Sequence, residues 1–374
     1  MNRSDPQKPL IRCADAPTVM YLLFGLAVCI AAIGRSEAAV AAGTVLAAVG
    51  VAEYLIFYRC PACGRLLGRE GGGFCPHCGR SLRSSSKEPP RTLTLPAFAK
   101  LNLTLDILGK RPDGYHELRT VMQTVSLHDD VTVTVGGEPG VTCRTEGAEL
   151  PCDERNLAVK AAKAFLDALG LDCGVSIALT KRIPSEAGMG GGSADAAAVL
   201  RALRDLCAPT LADERLEEIG ARVGSDVPFC VRGGTQLAEG RGEVLTVLKP
   251  APKLFAAVCK PEFSISTPAL FARADSAELA THPDSSAMVR AIGGGDAAAL
   301  CACVGNAFEQ VLDGAQSARV EQIRRTLILH GAKAAAMTGS GSAVFGLFYD
   351  EAVCRAACDA MRSENLLTFC TESV

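Results

Sequence analysis

The sequence lacks a strong excess of charge of either sign. Its 374 residues carry 38 basic and 41 acidic side chains, a formal net charge of −3. A chain that binds nucleic acid along its whole length is therefore not indicated, and we expect no nucleic-acid partner. The charge that is present divides unevenly, with a net +5 in residues 1–91 and a net −8 in residues 92–374. This division predicts a basic appendage on an acidic globular body.

Most of the 17 cysteines lack a regular spacing, which argues against a secreted disulfide framework and favours a reducing compartment. Four are different, because they form two C-x-x-C-G knuckles: Cys60, Cys63, Cys75 and Cys78. Four thiolates in two tight turns predict a closed structural Zn²⁺ site, a zinc ribbon over residues 59–83. A redox pair or four unrelated buried cysteines are the alternatives. His77, inside the second knuckle, is predicted to be a surface residue.

Charge is also absent from two long apolar runs near the start of the chain. Residues 16–34 carry none, and residues 38–58 carry only Glu53. Each run approaches the ~20 residues of a bilayer span, so residues 1–58 predict a transmembrane helical hairpin with the lipid bilayer as partner. Flanking arginines predict a cytoplasmic-membrane location with both termini and the body in the cytoplasm. Buried helices of a soluble core and a signal peptide are the alternatives.

The polar stretch 84–91 is predicted to be a linker to an α+β body. Residues 92–374 mix strand and helix patterns without a regular β-α-β repeat. In the first strand, Leu101, Leu103 and Leu105 alternate with a polar row that includes Lys100 and Asn102. Strands are also expected at 120–126 and 131–135, a turn at 112–114 and a helix over 154–169.

The stretch PSEAGMGGGSADA, residues 184–196, places four glycines between a predicted strand and a predicted helix. A glycine-rich loop before a helix N-terminus exposes backbone N–H groups to an anion, so the pattern predicts a phosphate-binding loop. Ser193 is the expected helix cap. No G-K-S/T follows, and the spacing is not that of a dinucleotide-binding motif. A flexible glycine turn remains the alternative.

Two further motifs come later in the chain. Asp226 lies in GSDVPF, where it is either the cap of a turn or, beside a phosphate loop, a general base for an acceptor hydroxyl. Met337-Thr338-Gly339-Ser340-Gly341-Ser342 is a second loop of small residues, which allows another backbone to approach closely.

Three segments together resemble the GHMP kinase family: PAFAKLNLTLDILGKRPDGYHEL, PSEAGMGGGSADAA with GSDVPFCVRGG, and MTGSGSAVFGLF. Within that family they are most similar to members that phosphorylate the 2-hydroxyl of 4-diphosphocytidyl-2-C-methyl-D-erythritol with ATP, in non-mevalonate isoprenoid synthesis. The resemblance implies a two-domain fold, divided into 92–245 and 246–374, with ATP and Mg²⁺ in a shared cleft.

The resemblance also implies a role for individual residues. Asp226 matches the base that deprotonates the acceptor hydroxyl, and Lys100 matches the residue that orients it and stabilises the alkoxide. The nucleotide-binding positions are Pro184, Gly188, Met189, Gly190, Gly191, Gly192, Ser193 and Ala194. The substrate-binding positions are Asn102, Tyr115, His116 and Phe271, with Tyr115, His116 and Phe271 around the cytosine.

Two other functions remain open at this point. One is another small-molecule kinase of the same family, such as a homoserine, mevalonate or galactose kinase. The other is a membrane-anchored zinc-ribbon adaptor whose kinase-like body binds without catalysing. For the ribbon, a protein partner and anionic lipid headgroups are equally open.

Overall fold

The computed structural model describes residues 20–30, 37–60, 63–67, 75, 77 and 89–374. Most of the predicted linker, and all of Cys78, therefore lie outside the described residues. In chain order the elements are α1 (20–30), α2 (Glu37–Phe57), β1 (Arg91–Lys110), β2 (His116–Val135), β3 (Gly140–Glu146), α3 (Leu157–Leu169), β4 (Gly174–Thr180), α4 (Gly191–Cys207), α5 (Asp213–Ala221), α6 (Val227–Arg232), β5 (Thr235–Gly240), β6 (Val244–Val247), β7 (Phe255–Lys260), α7 (Thr267–Asp275), α8 (Ser285–Gly294), α9 (Ala297–Ala302), β8 (Gly305–Asn306), a 3-10 helix (Ala307–Val311), α10 (Gly314–Leu329), β9 (Ala334–Met337), β10 (Val344–Phe348), α11 (Glu351–Ser363) and β11 (Leu367–Glu372).

The first sheet is built on a long antiparallel hairpin of β1 and β2, in the order β3-β4-β2-β1-β8, with β5 paired to β2 and β6 paired to β5. The predicted turn at 112–114 joins the two strands, and Gly114 adopts φ +85 there. The two short strands predicted at 120–126 and 131–135 are one strand. Bulges in the pairing let a single long strand change its twist without ending.

Helices α3 and α4 cover this sheet with a continuous apolar core that includes Phe165, Ile177 and Leu200. Helix α3 begins at Leu157, later than predicted, because the Asn156 side chain accepts a hydrogen bond from the Ala158 backbone N–H and caps the helix. Residues 154 and 155 precede that cap.

The second sheet has four strands in the order β11-β7-β10-β9. Phe348 of β10 is buried in one core with Leu327 of α10 and Met361 of α11. The two sheets are joined at the end of the chain, where the Val374 backbone N–H donates to the Thr124 carbonyl at 3.1 Å. The predicted two-domain α+β body is thus confirmed. The boundary at 245/246 stays a prediction, and β8 returns from the later segment to pair with β1.

The predicted membrane hairpin is not supported. Helices α1 and α2 do contact each other, since a Cβ at Gly50 would lie 3.2 Å from the Leu23 Cβ. Across the parts of the chain that the structure describes, however, none of the helices combines the length and apolar character that a bilayer crossing requires. The prediction of a cytoplasmic-membrane location is therefore wrong, and the predicted bilayer partner is not supported.

Candidate active site

The side chains of Lys100 and Asp226 meet at the edge of the glycine-rich loop. The Lys100 ammonium lies 3.4 Å from an Asp226 carboxylate oxygen and donates a hydrogen bond of 2.6 Å to the Asn102 side-chain oxygen. The Lys100 side chain is almost fully buried, whereas a third of the Asp226 side chain is exposed. A charge-paired carboxylate that is open to solvent on one side is able to receive a proton from a bound hydroxyl.

Asp226 occupies the N-cap position of α6, yet its side chain makes no capping hydrogen bond. The capping alternative raised by the sequence therefore does not explain this carboxylate. Pro228 follows in the first turn, where its missing N–H costs no helical hydrogen bond. The short helix fixes the backbone while the carboxylate faces Lys100.

The glycine loop continues directly into the first turn of α4. The helix begins at Gly191 with Gly190 as its cap at φ +71, and no side chain caps it. Ser193 is therefore inside the helix, not at its cap as predicted, because Gly191 and Gly192 already have helical conformation. The first N–H groups of α4 remain available to an anionic ligand, and the axial dipole favours negative charge there.

Two of the eight predicted nucleotide-binding positions carry side chains that point away from any ligand. Met189 and Ala194 have side chains buried in the core. Met189 also anchors the loop, because its carbonyl accepts a hydrogen bond of 3.0 Å from the Lys100 backbone N–H. Gly190 lies directly over the Lys100 side chain, where a Cβ would be 3.1 Å from the Lys100 Cγ. The glycine loop therefore packs directly against Lys100.

The second small-residue loop packs onto the first. A Cβ at Gly188 would be 2.0 Å from the Thr338 carbonyl oxygen, and one at Gly339 would be 2.8 Å from the Gly188 carbonyl oxygen. The Thr338 hydroxyl accepts from the Asn102 backbone N–H at 3.0 Å. This approach of two backbones, expected from the small residues, brings the two sheets together at the site.

A buried ion cluster supports the loop from behind. The Lys181 ammonium contacts the Asp129 carboxylate and lies 2.5 Å from an Asp195 carboxylate oxygen. The other Asp195 oxygen has no hydrogen-bond partner in the described structure. Burial raises the pKa of Asp195 to about 7, and the adjacent Asp129 carboxylate adds to the rise, although the Lys181 ammonium opposes it. Two carboxylates therefore share one ammonium beneath the first turn of α4.

The three residues predicted to surround the cytosine lie in two places. His116 and Phe271 stack on each other, with ring centroids 4.4 Å apart and planes 17° apart. Asp275 holds the imidazole through a 2.6 Å contact with His116 Nε2. Tyr115 is instead 56% exposed, and the Arg241 guanidinium lies 4.7 Å from its ring centroid. The structure thus brings His116 and Phe271 together and leaves Tyr115 beside them on the turn.

Three of the four knuckle cysteines also come together. The sulfur atoms of Cys60, Cys63 and Cys75 all lie within 4.8 Å of one another. The His77 backbone N–H donates to the Cys75 sulfur at 3.4 Å, and its ring nitrogen Nε2 lies 3.3 Å from the Leu66 carbonyl oxygen. The three sulfurs are thus grouped, and the His77 imidazole contacts a backbone carbonyl.

Sequence reasoning missed several residues that shape the site. Asn306 donates two side-chain hydrogen bonds of 2.8 Å, to the Met337 and Gly339 carbonyl oxygens, and so fixes the second loop. Asp275, Lys181 and Asp129 were likewise not singled out. Each is a single polar residue in an ordinary-looking segment, and only the fold places it beside a motif.

Comparison with known proteins gives a consistent assignment. The family described as GHMP kinases N terminal domain matches residues 156–234, and the family GHMP kinases C terminal matches residues 288–365. A 4-diphosphocytidyl-2-C-methyl-D-erythritol kinase from Clostridium tetani is 41% identical over 256 residues, which is 68% of this chain and 91% of that protein. The enzyme of the same name from Pelotomaculum thermopropionicum is 45% identical over 258 residues, 69% of this chain and 90% of that protein.

Solved structures show the same fold. A crystal structure of 4-(cytidine 5'-diphospho)-2C-methyl-D-erythritol kinase superposes with a TM-score of 0.64 and 32% identity, covering 75% of this chain and 99% of that one. A homoserine kinase from Cytophaga hutchinsonii, 18% identical with a TM-score of 0.60 over 78% of this chain and 96% of that one, shares the fold. This chain is therefore a small-molecule kinase of the GHMP family and belongs to its 4-diphosphocytidyl-2-C-methyl-D-erythritol kinases.

Proposed function

We propose that this kinase transfers the γ-phosphoryl group of ATP to the 2-hydroxyl of 4-diphosphocytidyl-2-C-methyl-D-erythritol. The observation that carries the proposal is the 3.4 Å contact between Lys100 and Asp226, at the mouth of an uncapped glycine-rich helix start. Asp226 takes the hydroxyl proton. Lys100 holds the oxygen and stabilises its developing negative charge, which is worth most in a site with little water.

The triphosphate is proposed to lie at the start of α4, on the loop that Gly188 and Gly190 shape. Both have positive φ, and a Cβ at either position would meet neighbouring atoms at 3.1 Å or less. Backbone N–H groups at the start of α4 then bind the phosphate oxygens. Mg²⁺, which prefers oxygen ligands and keeps several waters, would be held by the phosphates together with the Ser193 hydroxyl. When bound, the ion offsets charge on the phosphates.

His116 and Phe271 are proposed to bind the cytosine, and Tyr115 to border the same pocket. The stacked pair presents a joined aromatic surface, which suits a base that binds through its π-face. Asp275 anchors the imidazole and keeps the ring in place for hydrogen bonding to the base. Asn102 fixes Lys100 and is held in turn by the Thr120 hydroxyl, which accepts from its amide at 2.8 Å.

The test is phosphorylation by the full chain of 4-diphosphocytidyl-2-C-methyl-D-erythritol, mevalonate and homoserine in parallel. We expect turnover of the cytidyl compound alone, and its loss in Asp226→Asn. Asp205→Asn, an exposed carboxylate on α4, is the control and should behave as the parent. Turnover of mevalonate or homoserine at a comparable rate would contradict the substrate assignment.

For the ribbon, we propose structural Zn²⁺ held by Cys60, Cys63 and Cys75, with Cys78 as the fourth thiolate. Cys63 and Cys75 sulfurs lie 3.8 Å apart, close to the ~3.8 Å expected for two ligands at ~2.3 Å from a tetrahedral zinc. Metal analysis of Cys63→Ser should show about one zinc fewer per chain than the parent. Cys152→Ser, an exposed cysteine of the body, is the control. Equal zinc in parent and Cys63→Ser would refute the site.

A further inference from the structure

A second group of three cysteines lies in the kinase body, far from the knuckles in sequence. The sulfur atoms of Cys354, Cys358 and Cys370 all lie within 4.8 Å of one another. The Cys354 and Cys370 sulfurs are 3.6 Å apart, and those of Cys358 and Cys370 are 2.9 Å apart. Nothing in the kinase reaction uses these residues.

The fold produces this group from two elements. Cys354 and Cys358 are four residues apart on α11, so they lie on the same face of the helix, one turn apart. Cys370 is on β11, the edge strand of the second sheet that follows α11. Helix and strand therefore present three sulfur atoms toward one point.

Burial suits the group to a bound ion. Cys354 and Cys358 are fully buried, whereas Cys370 is half-buried and gives a path to solvent. A neighbouring thiol, Cys259 on β7, lies in the same core without joining the cluster. Its sulfur accepts a 3.7 Å contact from the Thr368 hydroxyl.

One of the two sulfur separations given above is close to that of a metal–thiolate centre, and the other is shorter. Ligands at ~2.3 Å from one ion are separated by about 3.8 Å in a tetrahedral site and about 4.0 Å in a trigonal one. The 3.6 Å separation is near these values, and the 2.9 Å separation must open by about 1 Å. In the ribbon, the corresponding separation of Cys63 and Cys75 is 3.8 Å.

Positive charge is available to offset three thiolates. Arg355 and Arg362, both on α11, interact electrostatically with Cys370. Three thiolates around Zn²⁺ carry a net −1, and around Cu⁺ a net −2. The two guanidinium groups offset part of this charge, because Arg355 is also paired with Glu351 and Arg362 with Asp359. Arg362 also donates to the Thr368 carbonyl on β11, which ties the helix to the strand beside the sulfurs.

We propose that Cys354, Cys358 and Cys370 form a second metal site, which binds one thiophilic d¹⁰ ion, Zn²⁺ or Cu⁺. Soft thiolate ligands select these ions. Binding forms three metal–sulfur bonds and releases three thiol protons to solvent, with no change of oxidation state. Zn²⁺ takes a water as its fourth ligand on the exposed side of Cys370, and Cu⁺ is three-coordinate. The bound ion fastens α11 to β11.

The experiment uses the full chain with the four ribbon cysteines replaced: Cys60→Ser, Cys63→Ser, Cys75→Ser and Cys78→Ser. In this ribbon-free chain the second site is tested by itself. The reduced protein is titrated anaerobically, with Zn²⁺ in one arm and Cu⁺ in the other. We expect about one equivalent of one of these ions per chain and a higher thermal midpoint. Adding Cys354→Ser and Cys370→Ser should abolish both effects, whereas adding Cys259→Ser should preserve them.

Kinase activity of every variant checks folding, because none of these cysteines belongs to the catalytic machinery. If the chain that also carries Cys354→Ser and Cys370→Ser has no kinase activity, Cys358→Ala replaces these two substitutions in the ribbon-free chain. The same loss of metal binding is expected. The proposal is overturned if the ribbon-free chain binds neither ion, or if binding survives removal of the cluster cysteines in an active variant.

Discussion

Gly188 and Thr338, 150 residues apart in the chain, lie backbone to backbone at the centre of the site. A Cβ at Gly188 would be 2.0 Å from the Thr338 carbonyl oxygen, well inside contact distance. Gly188 also has φ +75, in the left-handed region that residues with a side chain rarely adopt. The contact joins the glycine loop of one sheet to the small-residue loop of the other.

Gly188→Ala is therefore expected to separate the two loops. The left-handed conformation alone costs about 1–2 kcal/mol for a residue with a Cβ, and the clash with backbone adds to this. We expect a lower thermal midpoint and a raised KM for ATP. Gly192→Ala in the same loop is the control, because its Cβ would only touch Leu157 at 3.5 Å. Equal ATP kinetics in the two variants would contradict the packing argument.

Asp226→Asn is expected to lower kcat by about 10²- to 10⁴-fold, the usual contribution of a general base. The amide keeps the shape of the side chain but cannot take the hydroxyl proton. Because Asp226 does not cap α6, the helix should be unaffected, and the thermal midpoint should fall only by what the buried Lys100 ammonium loses with its charged partner. Steady-state kinetics and a thermal melt test both points. A large loss of stability with kcat preserved would show that the carboxylate is structural.

Lys100→Met keeps most of the buried stem and removes the ammonium. We expect kcat to fall by about 10²- to 10³-fold, since a fixed donor to the developing oxyanion is lost. Asp226 loses its 3.4 Å partner and Asn102 its 2.6 Å donor. Lys249→Met, an exposed lysine that contacts the Gly293 carbonyl, is the matched control. Parent-like kcat in Lys100→Met would exclude Lys100 from the chemistry.

Phe271→Leu should weaken binding of the cytidyl substrate and leave KM for ATP unchanged. Stacking on an aromatic side chain contributes about 1–3 kcal/mol per base, and leucine retains only the apolar contact with Phe308. We expect KM for the cytidyl substrate to rise by about tenfold. Tyr349→Leu, which removes an exposed aromatic ring elsewhere on the second domain, should not change it. An equal rise in both variants would argue against a base pocket at His116 and Phe271.

Asp195 makes folding stability depend on pH. Burial raises its pKa from 3.8 to about 7, so the folded chain binds more protons than the unfolded chain between these values. Stability from this group is fully present below about pH 4 and is lost as the pH rises through about 7, with a slope approaching 1.4 kcal/mol per pH unit. Asp195→Asn should remove this slope, and Asp205→Asn should retain it. Chemical denaturation from pH 4 to 8 measures the difference, and identical slopes would show that Asp195 is ionised throughout.

The local motifs could be predicted from the sequence because each depends on particular residue types at a short, fixed spacing. The glycines of residues 188–192 predicted a phosphate loop, the 112–114 turn was placed correctly, and the paired C-x-x-C knuckles brought three sulfurs together. The cap of α4 was misplaced, because glycine can begin a helix as readily as it forms a loop. The membrane prediction failed because an uncharged run of suitable length does not by itself establish a spanning helix.

The sequence by itself determined which residues are able to do chemistry: one lysine, one aspartate, a loop with few side chains, and cysteines in knuckles. Only the tertiary structure decided which of them meet. Lys100 and Asp226 are 126 positions apart, and Gly188 meets Thr338 only because two sheets close on each other. The same is true of Cys370, whose meeting with Cys354 and Cys358 depends on α11 packing over β11. Spacing along the chain encodes local geometry, whereas contacts between distant segments follow from burying the apolar faces of whole elements.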